Sequence, residues 1–333
     1  MQEFNIEQFK RNVLTKNLNI LIGSGVSNPA IPLMKFFSKY DKGMTVSKED
    51  ANANLENHIW KVSSFLLWNH NDRIKYFVEN MDKQILYSID YLTELKNFNT
   101  FENNIGYVLE RYVKFLEKVI TLLYTSNSRT VSKSVNIFTT NYDLFIESSL
   151  DLLMKNENFI FNDGSNGYFH KVLDCANYNK SVAYRGLNEN YLNELPSISL
   201  IKPHGSMNWE KGESNQIIIK TCTVNHPVIV RPTGLEGQET YLNNHFHDML
   251  RVFQLELDKP QSVLIVIGFS FQDDHIAKMI RRALKNPELV IYIFCYADSD
   301  FDVIKKNLSL DNIPRNLQIV IPSDLEVESK NTL

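Results

Sequence analysis

Short apolar runs that stop abruptly at glycine or polar residues recur along this chain: Leu18–Ile22, Val135–Thr140, Ile198–Ile201, Val263–Ile267, Leu289–Cys295 and Leu317–Ile321. Runs this short and this apolar predict strands buried on both faces. Between them the spacing shifts to three and four. Phe4, Ile6, Phe9, Val13 and Leu14 predict a helix over 4–17, and Leu144, Phe145, Ile146, Ser149, Leu150 and Leu153 predict another. Tyr241, Phe246, Met249, Leu250, Phe253 and Leu257 predict a third over 239–258, with two more over 273–286 and 298–308. Leu33 to Tyr40 reads as the start of a short helix, and 216–221 and 227–230 as further short strands. Buried strands alternating with helices predict an α/β fold: a Rossmann-like parallel sheet with helices on both faces.

Two stretches interrupt this rhythm within what reads as one domain over 1–330. From 47 to 127 glycine is nearly absent. Leu55, Ile59, Val62, Phe65 and Leu66, then Ile105, Val108, Leu109, Tyr112, Phe115, Leu116 and Val119, predict a helical insertion of three or four helices. It suits a packing layer as well as an interaction surface. Residues 157–197 are rich in Asn, Gly and Tyr and read as a loop-rich insertion with short strands, while 324–333 reads as a polar tail.

Composition narrows the class. The 333 residues are 43% hydrophobic, with 20 Phe and 15 Tyr to fill a sizeable core. A net charge of −4 gives no reason to expect nucleic-acid binding. Lys278, Arg281, Arg282 and Lys285 read as a solvated helix face. Cys175, Cys222 and Cys295 are too dispersed for a zinc site or a disulfide framework, so no metal is expected and a reducing compartment is. Nothing at the N-terminus reads as a signal peptide and no apolar run is long enough for a membrane span, so the expectation is a cytoplasmic chain without membrane contact.

Candidate chemistry sits at four strand ends: Gly23-Ser24-Gly25-Val26-Ser27, Thr139-Thr140-Asn141-Tyr142-Asp143, Lys202-Pro203-His204-Gly205 and Gly268-Phe269-Ser270. In an open parallel sheet the carboxyl ends of the strands face one crevice, where ligands bind. The glycine loop suits a plain strand-to-helix turn, or a phosphate site built from converging amides. Asn141 or Asp143 suits a helix N-cap as well as a site residue. His204 before a glycine places an imidazole on a turn, and both Asn141 and His204 are expected outside the apolar core.

As an ordered set these segments resemble the sirtuins and, more closely, the bacterial sirtuin-like NAD hydrolases of antiphage defence. The glycine loop is similar to the sirtuin Gly-Ala-Gly-(Ile/Val)-Ser, with Ser24 for Ala, and Ile31-Pro32 to its Gly-Ile-Pro segment, one residue early. Thr139–Asp143 resembles Thr-Gln-Asn-Ile-Asp in the Thr-Asn-Tyr-Asp form of the defence group. His204-Gly205 resembles the sirtuin His-Gly, Gly268-Phe269-Ser270 its Gly-Thr-Ser, and 269–276 the bacterial branch. The four zinc-binding cysteines of protein-deacylating sirtuins have no counterpart. Lys35-Phe36-Phe37 is the nearest match to the Phe-Arg that follows Gly-Ile-Pro.

The resemblance implies NAD as substrate. Asn141 would hold the nicotinamide ribose or the attacking water, and His204 would be general base, with His170 as a rival. The amides of Gly23, Ser24, Gly25, Val26 and Ser27 would cradle the pyrophosphate. Asp143 would orient the nicotinamide end, and the Gly268-Phe269-Ser270 segment would line the adenosine side. It implies an NAD hydrolase, as against a non-catalytic NAD or ADP-ribose-derivative sensor or a protein deacylase. It also implies a homo-oligomer, controlled by a HerA-type ATPase or a nucleotide-processing protein. The aromatic residues Trp60, Phe65, Trp68, Tyr76 and Phe77 of the helical insertion are the expected contact surface.

Overall fold

A computed structural model describes residues 4–33, 48–67, 90–125, 132–184, 193–231 and 244–325. The chain opens with α1 (Ile6–Thr15), capped by the Asn5 side chain, which accepts from the Gln8 amide. It then enters β1 (Asn17–Ile22), and after a one-turn 3-10 helix at Ser24–Ser27 come α2 (Lys48–Leu67) and α3 (Asp90–Thr125). Next are β2 (Ser134–Thr139), α4 (Phe145–Leu153) and the short strands β3 (Ile160–Asn162), β4 (Ser165–Asn166), β5 (Lys171–Leu173), β6 (Ala183–Tyr184) and β7 (Asn193–Glu194). After β8 (Ser197–Ile201) come β9 (Trp209–Lys211), β10 (Ile217–Ile219), α5 (Asn244–Asp258), β11 (Ser262–Ile267), α6 (Asp274–Ala283), β12 (Val290–Phe294), α7 (Asp300–Asn307) and β13 (Leu317–Val320).

Seven strands form one sheet in the order β13-β12-β11-β1-β2-β8-β3, and every pairing is parallel. β1 lies between β2 and β11, with Ile20 opposite Ile137 on one side and Ile265 on the other. Alternate side chains of each strand feed two separate cores, as the two-residue strand period requires. Leu18, Ile20, Ile22, Val135, Ile137, Ile198, Leu200, Val263 and Ile265 pack with residues of α1 to α4. Leu21, Phe138, Ile201, Leu264, Val266, Ile291 and Ile293 pack with α5, α6 and α7. Helices therefore cover both faces, as the alternation of runs predicts.

Several details differ from the sequence reading. Leu55, Ile59, Val62 and Phe65 of α2 and Ile105, Val108, Tyr112 and Leu116 of α3 belong to the first core. The helices expected as an insertion thus supply much of the layer over one sheet face. Residues 68–89, with Trp68, Tyr76 and Phe77, lie outside the described residues, as do Lys35-Phe36-Phe37 and the rest of 34–47, 239–243 and the tail from 326. The loop-rich stretch contributes β3 to the edge of the main sheet, and β4 and β5 to a small antiparallel sheet with β10 and β9. At 227–230 a single bridge, Gly205 to Ile229, replaces the expected strand.

Candidate active site

The chain leaves the central strand β1 on one side toward β2 and returns on the other through β11, which makes the β1–β11 boundary the switch point of the sheet. The loops after these two strands touch backbone to backbone. The Gly23 amide donates to Ile267 O at 3.0 Å and the Gly25 amide to Gly268 O at 3.0 Å. A Cβ on Gly23 would stand 2.4 Å from Gly268 O, and one on Gly268, whose φ is +65°, would stand 2.6 Å from Val26 Cγ2. Only glycine permits this approach. The Val26 amide donates to Gly23 O at 3.2 Å. These three amides are engaged within the protein, and the glycines permit the loop-to-loop packing. Ser24 and Gly25 are exposed at the rim, Phe269 is buried and Ser270 is exposed.

Beside this junction lies a buried hydrogen-bond network. Ser27 Oγ donates to Asp143 Oδ2 at 2.9 Å, and so accepts from the Tyr112 hydroxyl at 3.1 Å and from Asn141 Nδ2 at 3.4 Å. Asn141 Nδ2 also donates to Gly23 O at 3.2 Å. Asp143 Oδ1 accepts from the Phe145 amide at 3.2 Å, closing the first turn of α4, so Asp143 is both a helix-start residue and a member of the network. Tyr112, from α3, stacks on Phe145 with ring centroids 5.5 Å apart. Burial pushes the Asp143 carboxyl up, against the pull of Lys202, Ser27, the Phe145 amide and Asn141; burial and Asp143 push the Tyr112 hydroxyl well up.

Lys202 follows β8 and joins this network through Asp143. Its ammonium donates to Asp143 O at 2.6 Å, Glu147 Oε1 at 2.8 Å and Ser206 Oγ at 2.9 Å, with the side chain 2% exposed. All three of its hydrogens are used, which a buried ammonium requires. Burial also pushes the Glu147 carboxyl up, with Lys202 pulling it back.

Past Lys202 the chain turns through Gly205, at φ +86°, where a Cβ would collide with Val228 O at 2.0 Å. The Val230 amide donates to His204 O at 2.8 Å, and the Met207 amide to Tyr142 O at 3.0 Å, which ties the β2 and β8 ends together. His204 Nε2 lies 2.9 Å from Nε2 of His275, in the first turn of α6, with the rings 28° apart in plane. Burial first, and His275 second, push His204 down to about 3, so the ring is neutral at neutral pH.

The strand ends thus bring Asn141, Asp143, Ser27 and the two glycine loops together, with His204 in the turn after the neighbouring strand β8. Asn141 and His204 are buried, at 8% and 3% exposure, which corrects the expectation that they lie outside the core. His170 sits in the exposed turn between β4 and β5 of the small antiparallel sheet. Asn141 Oδ1 is buried and has no hydrogen-bond partner among the described residues. An unpaired buried acceptor costs on the order of 1–3 kcal/mol, and a hydroxyl or water delivered there would recover it. Three participants escaped the sequence reading: Tyr112, Lys202 and His275. The last two lie inside segments already singled out. Tyr112 gave no signal, being one aromatic in an apolar helical stripe.

Among the described residues no three His, Cys, Asp or Glu side chains converge as a metal group, and no helix is long and apolar enough to cross a membrane.

A parallel sheet with covered faces and polar strand ends gathered at its switch point defines a Rossmann-like α/β protein, a fold whose ligands bind at that crevice. The family model of the SIR2-like domain matches residues 135–313, more than half of the chain, and the chain belongs to that family. The match begins at β2, so β1 and its glycine loop join the family region through their pairing with β2 and β11. Membership implies NAD binding and an NAD-using enzyme. A search of curated proteins gives no match.

Proposed function

We propose that this chain is an NAD glycohydrolase, which cleaves the bond between nicotinamide and ribose to give nicotinamide and ADP-ribose, and that it is the NAD-depleting effector of a bacterial antiphage defence system. The observation that carries the chemistry is the buried Asn141 Oδ1, without a hydrogen-bond partner among the described residues, at the strand end beside the glycine junction, with His204 in the turn after the neighbouring strand β8. Breaking an N-glycosidic bond passes through an oxocarbenium-like state, so the protein must hold the ribose, admit one water and accept its proton. Asn141 Oδ1 is the acceptor for the ribose hydroxyl or for the water. His204, neutral at neutral pH, is the group that accepts the proton. The Ser27–Asp143–Tyr112 network holds Asn141 in place. A pure sensor would use the Asn141 acceptor to hold the ribose, but it has no use for an imidazole that takes a proton.

The test is turnover of NAD by the purified full chain, with products separated, for wild type, Asn141→Ala and His204→Ala. Both variants are expected to lose at least about 100-fold in turnover, the lower range for removal of an acid–base group. Because both side chains are hydrogen-bonded and buried, each variant is also expected to lose about 1–3 kcal/mol of stability, read from a urea midpoint. Equal turnover by wild type and His204→Ala would remove His204 from the mechanism.

A further inference from the structure

The His204 ring poses a problem that the rest of the site does not solve. It is 3% exposed, and among the described residues its side-chain hydrogen-bond partner is another imidazole, so no carboxylate among them is bonded to the ring to hold a proton taken up there. His275 is partly exposed, and the chain goes to some length to deliver it. After β11 the backbone turns at Gly268, buries Phe269 and Phe271 at 9% and 1% exposure, and starts α6 at Asp274. Phe271 adopts φ +59°, a left-handed region that a bulky residue holds only where surrounding structure enforces it.

Two imidazoles joined Nε2 to Nε2 share one proton: one ring donates, and the other accepts. Resting on the glycohydrolase reading, we propose that His275 is a positioning residue that fixes His204 as the Nε2–H tautomer and takes the displaced proton through that bond. The direction follows from what a base needs. Nε2 of His204 is committed to His275, so Nδ1 is the nitrogen left to accept, and Nδ1 accepts only when Nε2 carries the hydrogen. His275 then accepts at its own Nε2. In the reaction the water oxygen bonds to the ribose carbon. The pair of the broken carbon–nitrogen bond goes to the nicotinamide nitrogen, which loses its positive charge. The proton of the water passes to Nδ1 of His204 as the Nε2 proton passes to His275. One proton leaves per NAD cleaved, and no further reactant is needed.

The experiment combines two readouts on the full chain. The first needs no NAD: nitrogen-15 shifts of labelled histidine, assigned with the His204→Ala and His275→Ala proteins, report which ring nitrogen carries hydrogen. The expected result is hydrogen on Nε2 of His204 and on Nδ1 of His275; hydrogen on Nδ1 of His204 overturns the proposal. The second is kinetic. His275→Ala is expected to lower kcat by about 10- to 100-fold and to leave KM within about twofold. His275→Gln reaches the same place with a carbonyl acceptor that cannot titrate. It is expected to keep the Nε2–H tautomer and to recover part of kcat. Wild-type kcat in His275→Ala, or a His275→Gln protein no better than His275→Ala, overturns the role. A wild-type chain that leaves NAD intact overturns the glycohydrolase reading instead, and the tautomer then decides the dyad alone.

Discussion

His204 couples the chemistry of the site to the stability of the fold. Its ring titrates near 6.5 when unfolded and near 3 when folded, so the unfolded chain binds the extra proton throughout that interval. Stability that is complete above about pH 6.5 is therefore lost as pH falls toward about 3. At ~1.4 kcal/mol per pH unit, the loss between about pH 6.5 and about pH 5 is about 2 kcal/mol. Asp143 and Glu147 act oppositely: burial raises them, so the folded chain gains on acidification through their range. The difference between wild type and His204→Asn isolates the histidine. Urea midpoints at the two pH values should fall more steeply for wild type, and parallel curves would show that His204 is not a buried neutral ring. At this scale the sequence was legible where a polar residue follows a strand directly, as Asn141, Asp143 and His204 do. It was not legible for Tyr112, whose hydroxyl reaches Ser27 across 85 residues of chain. Nor does spacing show that His204 and His275, 71 apart, share a hydrogen bond.

The elements show how a cover helix becomes part of a site. The strands were legible because a strand buried on both faces must be continuously apolar, and Leu18–Ile22 and Val263–Ile267 are. The role of α3 was not, because an apolar stripe at helical spacing reads the same whether it covers a sheet or projects from it. In the structure Tyr112 carries the stripe into the network, stacked on the first residue of α4 and bonded to Ser27 of the glycine loop. Tyr112→Phe keeps the ring and removes only the hydroxyl, while Ser27 keeps its bonds to Asp143 and Asn141. The expected cost is about 1 kcal/mol, because one buried hydrogen bond is lost without a cavity. If α3 positions the catalytic strand end, turnover falls by about tenfold or more, well beyond that small change. Wild-type turnover in Tyr112→Phe would leave α3 as cover alone.

For the whole molecule the proposed activity raises a question of control, because a glycohydrolase of this kind would deplete its own host of NAD. The expected contact surface is corrected in part: Trp60 donates to Val224 O at 3.0 Å and Phe65 is 3% exposed, so both are inward-facing cover residues. Trp68, Tyr76 and Phe77 lie outside the described residues. The helical layer still presents Leu67, Tyr107 and Tyr124 to solvent, each more than 40% exposed, on the α2 and α3 surfaces. Apolar surface on a cover helix is a place where a second copy or a companion protein gains contact area. The same helices reach the site through Tyr112, so a contact on them has a physical route to Asn141. The expected outcome is an isolated chain that forms an oligomer and cleaves NAD slowly, with turnover raised by a HerA-type ATPase, a nucleotide-processing partner or altered assembly. Light scattering together with the NAD assay checks it. Charged substitutions at Tyr107 and Tyr124 should shift the mass and the turnover together. A monomer with full turnover, unaffected by those substitutions, would place control elsewhere.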